Sequence, residues 1–168
     1  MTWSNVRAKL VNDLGRILLK TGALQFGTFT LTSGKLSSYY IDLRVVPCFP
    51  GVFRKVVTAY LKLFRHLVGS RNVDAVAGIP TAGLPYASIY VRKKEKAHGT
   101  EKMIEGTITP GWKVTVLDDL ITTGTSIMGA VDVVRREGGR VEEAVVLIDR
   151  MEGGAENLKK IGVILRAL

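Results

Sequence analysis

The sequence predicts an α/β fold, an open, mainly parallel twisted sheet flanked by helices. Two observations carry that prediction. VDAVAGI (73–79), KVTVLDD (113–119) and EEAVVLIDR (142–150) are nearly continuous apolar runs, the pattern of strands buried on both faces. SIMGAVDVVRREGG (126–139), between the last two, is an amphipathic helical stretch closed by Gly138-Gly139. Strand, helix and strand in that order require a right-handed crossover and so a parallel sheet.

The elements before these strands have a different period. Val6, Leu10, Leu14, Ile17 and Leu18 fall at helical spacing, with Ser4 as the expected cap and Thr21-Gly22 as the stop. FGTFTLTSGKLSSYYIDLR (26–44) reads as an extended pair turning at Ser33-Gly34. Pro50 suits the first turn of a second helix reaching about Val68. No repeat, low-complexity segment or Pro/Ser-rich linker divides the chain, so the expectation is one domain over 1–168.

Composition narrows the function classes. With 46% apolar and 23% charged residues over 168 positions, the chain has the make-up of an ordinary globular protein. It has no apolar run of membrane-span length, and MTWSNVRAKLVNDLG lacks the apolar core of a signal peptide, which leads to the expectation of a cytoplasmic protein without a membrane partner. The single Cys48 excludes an internal disulfide and reads as a small filler near a turn. Twenty-four basic against fifteen acidic residues leave a net charge of +9 and so an anionic partner: nucleic acid, a membrane surface or a small polyphosphate. The densest basic run, Arg92 to Lys102, has neither interleaved aromatics nor an apolar helical face, and reads as a solvated loop.

The chemistry concentrates in VTVLDDLITTGTS (114–126). A buried strand runs into two adjacent acids, Asp118 and Asp119, which repel and are costly to desolvate unless something binds them. Ligands of open parallel sheets bind beyond the carboxyl ends of the strands. The small hydroxylated residues that follow lead into a helix, so backbone N–H groups and hydroxyls can surround an anion at the positive end of the helix dipole. A sugar diol offers hydroxyl donors to both acids, and the whole stretch describes a site for a ribose 5-phosphate. The bland alternative is that the two acids cap a turn.

At these residues the chain resembles the type I phosphoribosyltransferases. Further segments narrow the resemblance to orotate phosphoribosyltransferase. FTLTSGKLSSYYIDLR (29–44) is similar to that family's N-terminal hood, here within residues 1–45. GIPTAGLPYAS (78–88) resembles its pyrophosphate loop, RKKEKAHG (92–99) its mobile catalytic loop, and LIDRMEGG (147–154) its strand end with a base-binding arginine. The five segments occur in the family's order and cover most of the chain.

The resemblance implies Mg2+-dependent transfer of ribose 5-phosphate from phosphoribosyl pyrophosphate to orotate, giving orotidine 5-phosphate on the route to UMP. Asp118 and Asp119 would hold the ribose hydroxyls and stabilise positive charge at the anomeric carbon, with the backbone of Leu120 and Ile121 beside them. Thr122, Thr123, Gly124, Thr125 and Ser126 would bind the 5-phosphate. Thr81, Ala82 and Gly83 would surround the pyrophosphate, and Arg92, Lys93, Lys96 and His98 would meet it as it departs, Lys96 and His98 as catalytic groups. In the family this loop (92–102) reaches into the neighbouring subunit, which implies a homodimer. Arg150 would pair with the orotate carboxylate, and Tyr39, Tyr40 and, more weakly, Lys35 would line the base, with Thr122 near it. Mg2+ would be held mainly by substrate and water, without direct protein ligands.

Bland readings stand beside these. The basic run could be only a solvated face, His98 and His66 idle, Arg150 a surface ion pair with Asp149, and Trp3 and Trp112 packing residues. Two other functions stay open: a purine phosphoribosyltransferase, and a non-catalytic phosphoribosyl-binding regulator whose basic surface binds nucleic acid. The chain departs from the family at Thr32, where many members carry lysine, and in stopping early at ILRAL. Only Pro85 to Val91 separate the pyrophosphate loop from the basic loop, too few for a crossover helix. The expectation is therefore a crossover helix missing or shortened, with IYV either unpaired beside VDAVAG or part of a rearranged sheet.

Overall fold

The computed structural model describes residues 2–31, 34–67, 73–79, 89–91 and 103–168. The chain divides into two compact units, Met1–Lys62 and Leu63–Leu168. The first unit opens with helix α1 (Trp3–Lys20), whose Leu14 and Leu18 are buried as the apolar spacing requires. Ser4 lies inside this helix instead of capping it: Thr2 holds the N-cap position without a side-chain bond, because helical backbone already begins at Trp3. Thr21 ends the helix as expected, its hydroxyl donating to the Ile17 and Leu18 carbonyls.

Strands β1 (Leu24–Thr30) and β2 (Leu36–Ile41) pair antiparallel, closed by Gly34 at φ 79°, a conformation that glycine adopts without strain. A 3₁₀ turn (Leu43–Cys48) follows, started by Asp42, which accepts bonds from the N–H of Arg44 and from its guanidinium. Cys48 is exposed on this turn, so it is not the packed filler expected of a free cysteine. Helix α2 runs from Pro50 to Leu67, with proline in its first turn.

The second unit is built on a six-stranded sheet ordered β5-β4-β3-β6-β7-β8. Its strands are β3 (Ala75–Gly78), β4 (Ile89–Val91), β5 (Ile104–Glu105), β6 (Val114–Ile121), β7 (Glu143–Asp149) and β8 (Ile164–Ala167). All neighbours are parallel except the edge pair of β4 and β5. Helix α3 (Thr125–Arg136) connects β6 to β7, and α4 (Gly154–Lys160) connects β7 to β8. Val116, Val131, Val134, Ala144, Val146 and Leu158 are 0% exposed in the core, where α3 packs on β6 and α4 on β8. Removing that apolar surface from water, at roughly 25 cal/mol per Å², is what holds sheet and helices together.

The segment IYV corrects one expectation. It pairs in parallel with β3, Ala77 opposite Ile89 and Gly78 opposite Tyr90, so it is neither unpaired nor moved to another place in the sheet. The connection between the two strands, 80–88, and with it the crossover helix expected to be missing or shortened, lies outside the described residues. Helix α4 and strand β8 were not anticipated. Seven residues with one fully buried apolar side chain, Leu158, are too few to show a helical period.

Candidate functional site

Strand β6 continues past the two acids to Ile121, three residues beyond Asp118. Its register with β7 is regular through Asp118 and Leu120, so the consecutive residues Asp118 and Asp119 point to opposite faces. That alternation separates the two charges, which on one face would repel. Asp118 is only 4% exposed, and Asp119 is half-buried. Each carboxylate accepts a bond from the next backbone N–H: Asp118 Oδ1 from Asp119 (3.0 Å) and Asp119 Oδ1 from Leu120 (2.7 Å). Such bonds offset part of the cost of keeping a carboxylate out of water.

The chain then turns through Thr122 and Thr123 into α3. Gly124 is the N-cap at φ 84°, where the left-handed backbone sets loop and helix axis at the angle that opens the helix N-terminus. The hydroxyls of Thr123, Thr125 and Ser126 lie on exposed residues, and those of Thr123 and Thr125 are 3.0 Å apart. N–H groups, hydroxyls and the positive end of a twelve-residue helix converge here. A cavity of about 400 Å³ lies beside Thr125, Ser126, Asp132 and Arg136 of α3, but neither Asp118 nor Asp119 lines it, so it does not mark the sugar position.

Arg150 follows the end of β7 and is fixed to the same region. Its N–H donates to the Ile121 carbonyl (3.0 Å), setting the base-binding candidate directly beside the loop. Its side chain is 6% exposed, and Nε donates to Glu152 at 2.8 Å. Glu152 is thus one partner of the guanidinium, and Asp149 accepts the N–H of Met151. Met151 is left-handed at φ 58°, a turn that brings residues 150 and 152 face to face at a cost of roughly 1–2 kcal/mol.

Three residues that the sequence reading missed support the loop. Glu152 holds the guanidinium, Gly154 lets α4 approach, and Asn157 Nδ2 donates to the Thr123 carbonyl at 3.0 Å. A Cβ on Gly154 would stand 2.6 Å from the Thr122 carbonyl oxygen and from Ile121 Cδ1. The available signal was the pair Gly153-Gly154 just after a strand end, since adjacent glycines there mark a close backbone approach.

Lys35, Tyr39 and Tyr40 belong to the first unit. Tyr39 and Tyr40 are successive strand residues, so their side chains alternate; the Tyr40 ring stacks on Phe29 with centroids 5.5 Å apart. Lys35 is exposed. Thr81, Ala82, Gly83, Arg92, Lys93, Lys96 and His98 lie outside the described residues. Trp112 packs half-buried against the core, as expected of a packing residue.

A parallel strand carrying paired acids into a hydroxyl-rich loop and a helix N-terminus, with the next strand bringing an arginine alongside, defines the phosphoribosyltransferase class. Over 163 residues the chain is 41% identical to the orotate phosphoribosyltransferase of Sulfolobus acidocaldarius, covering 91% of this chain and 80% of the relative. The chain belongs to the orotate phosphoribosyltransferase family. The crystal structure of the Aeropyrum pernix orotate phosphoribosyltransferase superposes with a TM-score of 0.76 at 37% identity, covering 92% of this chain and 91% of that one. The Mycobacterium tuberculosis orotate phosphoribosyltransferase in complex with 5-phospho-alpha-D-ribosyl 1-diphosphate superposes at 0.67 and 26% identity, covering 92% of each chain. No protein-family profile matches the chain.

Proposed function

We propose that this chain transfers ribose 5-phosphate from phosphoribosyl pyrophosphate to N1 of orotate, giving orotidine 5-phosphate and pyrophosphate in UMP biosynthesis. The bond from the anomeric carbon to the pyrophosphate oxygen breaks with its electron pair on oxygen; the bond to N1 forms, and the N1 proton is released. The observation that carries this reading is the Arg150 N–H bonded to the Ile121 carbonyl, which sets a guanidinium suited to a carboxylated base against the loop suited to the sugar phosphate.

In this reading the 122–126 loop takes the 5-phosphate. Asp119, the more accessible acid, takes the ribose hydroxyls, while buried Asp118 adds negative potential under the anomeric carbon as it becomes oxocarbenium-like. Arg150 takes the orotate carboxylate. Thr81 to Gly83, Arg92, Lys93, Lys96 and His98 act on the pyrophosphate. Mg2+ is a hard ion that keeps several waters and accepts phosphate and carboxylate oxygens, and the all-oxygen surroundings of Asp118, Asp119 and the loop hydroxyls fit it. Bound with the pyrophosphate, it would neutralise charge on the leaving group. We further propose a cytoplasmic homodimer in which residues 92–102 serve the partner's site.

Orotate consumption by the purified protein with phosphoribosyl pyrophosphate and Mg2+, omitting each in turn, tests the reaction. Dependence on all three is expected. Consumption of a purine base in place of orotate, or nucleic-acid binding without turnover, would overturn it. Replacing Lys96 or His98 by alanine should lower turnover far more than it weakens ribose 5-phosphate binding.

A further inference from the structure

We propose that Asn157 is a positioning residue for the phosphate loop, oriented by Lys160, and that it acts by aiming the Gly124 N–H at the bound sugar phosphate. The inference rests on the function proposed above. Asn157 Nδ2 donates to the Thr123 carbonyl at 3.0 Å, and Lys160 Nζ donates to Asn157 Oδ1 at 3.0 Å. An ammonium only donates and a carbonyl only accepts, so the side-chain amide has a single orientation between them.

The consequence follows from peptide geometry. The Thr123 carbonyl and the Gly124 N–H belong to one planar trans unit and point in opposite directions. Holding the carbonyl toward α4 turns the Gly124 N–H away from α4, and among the described residues no backbone acceptor takes that N–H. The Thr122 carbonyl also lies against α4, close to Gly154, so two successive peptide units face the same way. Successive N–H groups aligned next to a left-handed residue form an anion-binding concavity. Asn157 supplies this restraint without a negative charge near the phosphate.

Calorimetric titration with ribose 5-phosphate, without orotate, reads the restraint directly. Asn157→Ala should weaken binding about five- to tenfold, the worth of one hydrogen bond. Asn157→Asp should weaken it further than alanine does, because a carboxylate repels both the Thr123 carbonyl and the phosphate. Lys160→Met should weaken binding about two- to threefold in the native background and not at all in Asn157→Ala, since the lysine acts through the amide. In turnover, the KM for phosphoribosyl pyrophosphate should rise while the KM for orotate stays constant, a split that simple loss of folded protein does not produce.

Unchanged ribose 5-phosphate binding in both Asn157 variants would overturn the proposal, as would a Lys160→Met effect that persists in Asn157→Ala. Lys160 is exposed, so its variant tests the relay even if an Asn157 variant folds poorly. Ribose 5-phosphate binding without orotate transfer in the native protein would sink the assigned reaction and leave this inference standing; native protein that fails to bind ribose 5-phosphate would sink both.

Discussion

Arg150 Nε donates to the Glu152 carboxylate at 2.8 Å across a single left-handed residue, Met151. A guanidinium tethered through Nε cannot rotate freely, and under the proposed function it would be set in place before the base arrives. Arg150→Ala should raise the KM for orotate about 10- to 100-fold, the range of a charge-assisted bond. Glu152→Ala should raise it less, about threefold to tenfold, and Glu152→Gln less again because an acceptor remains. Steady-state kinetics with orotate varied checks the order; an unchanged KM in Arg150→Ala would remove that residue from the base site.

Gly154→Ala should destabilise the protein by roughly 2–3 kcal/mol, because its Cβ meets backbone at the Thr122 carbonyl and must displace α4 or the loop. Urea denaturation gives the stability. Ribose 5-phosphate binding in the same variant should also weaken, since the displaced atoms are those of the loop.

Asp42 carries a pH dependence. Its hydrogen bonds to the Arg44 guanidinium hold its carboxyl below the ordinary 3.8. A group whose pKa is depressed on folding stabilises the native state above the unfolded value and loses that contribution as pH falls through the folded one. Asp42→Asn should therefore cost stability at pH 6 and converge with the native protein in acid, below the folded pKa. Denaturation at several pH values checks this; a constant gap would mean that the lost bonds owe nothing to charge.

In the second unit, on the edge strand β8, Arg166 Nη2 donates to Glu143 of β7 at 3.1 Å, and the Glu143 side chain is 5% exposed. Removing the arginine leaves a buried carboxylate with less compensation. Arg166→Ala should destabilise by about 2–4 kcal/mol, whereas a double replacement by apolar residues of similar size should recover much of the loss. Thermal or urea unfolding of the native protein and the two variants separates the cases.

The main strands and the long helices were legible because burial on two faces, or on one helical stripe, writes a period into many residues at once. The paired acids and the Thr/Gly loop were legible because both are local and their composition is rare. The short elements were not. Helix α4 turns on one fully buried side chain, Leu158, and β8 spans only Ile164–Ala167. The pairing of IYV with β3 could not be read either, since a three-residue strand has no period of its own and takes its place from a neighbour.

The sequence by itself determined the class of the sheet, the paired acids with the Thr/Gly loop that follows them, and the presence of an arginine after the last long strand, because each is encoded by contiguous residues. Only the tertiary structure decided that Asp118 is buried while Asp119 is accessible, that Arg150 pairs with Glu152, and that Asn157 holds the Thr123 carbonyl from 34 residues away. Strand register sets the first, a left-handed turn the second, and the packing of α4 over a glycine the third. These are distances between atoms that the chain brings together only when it folds.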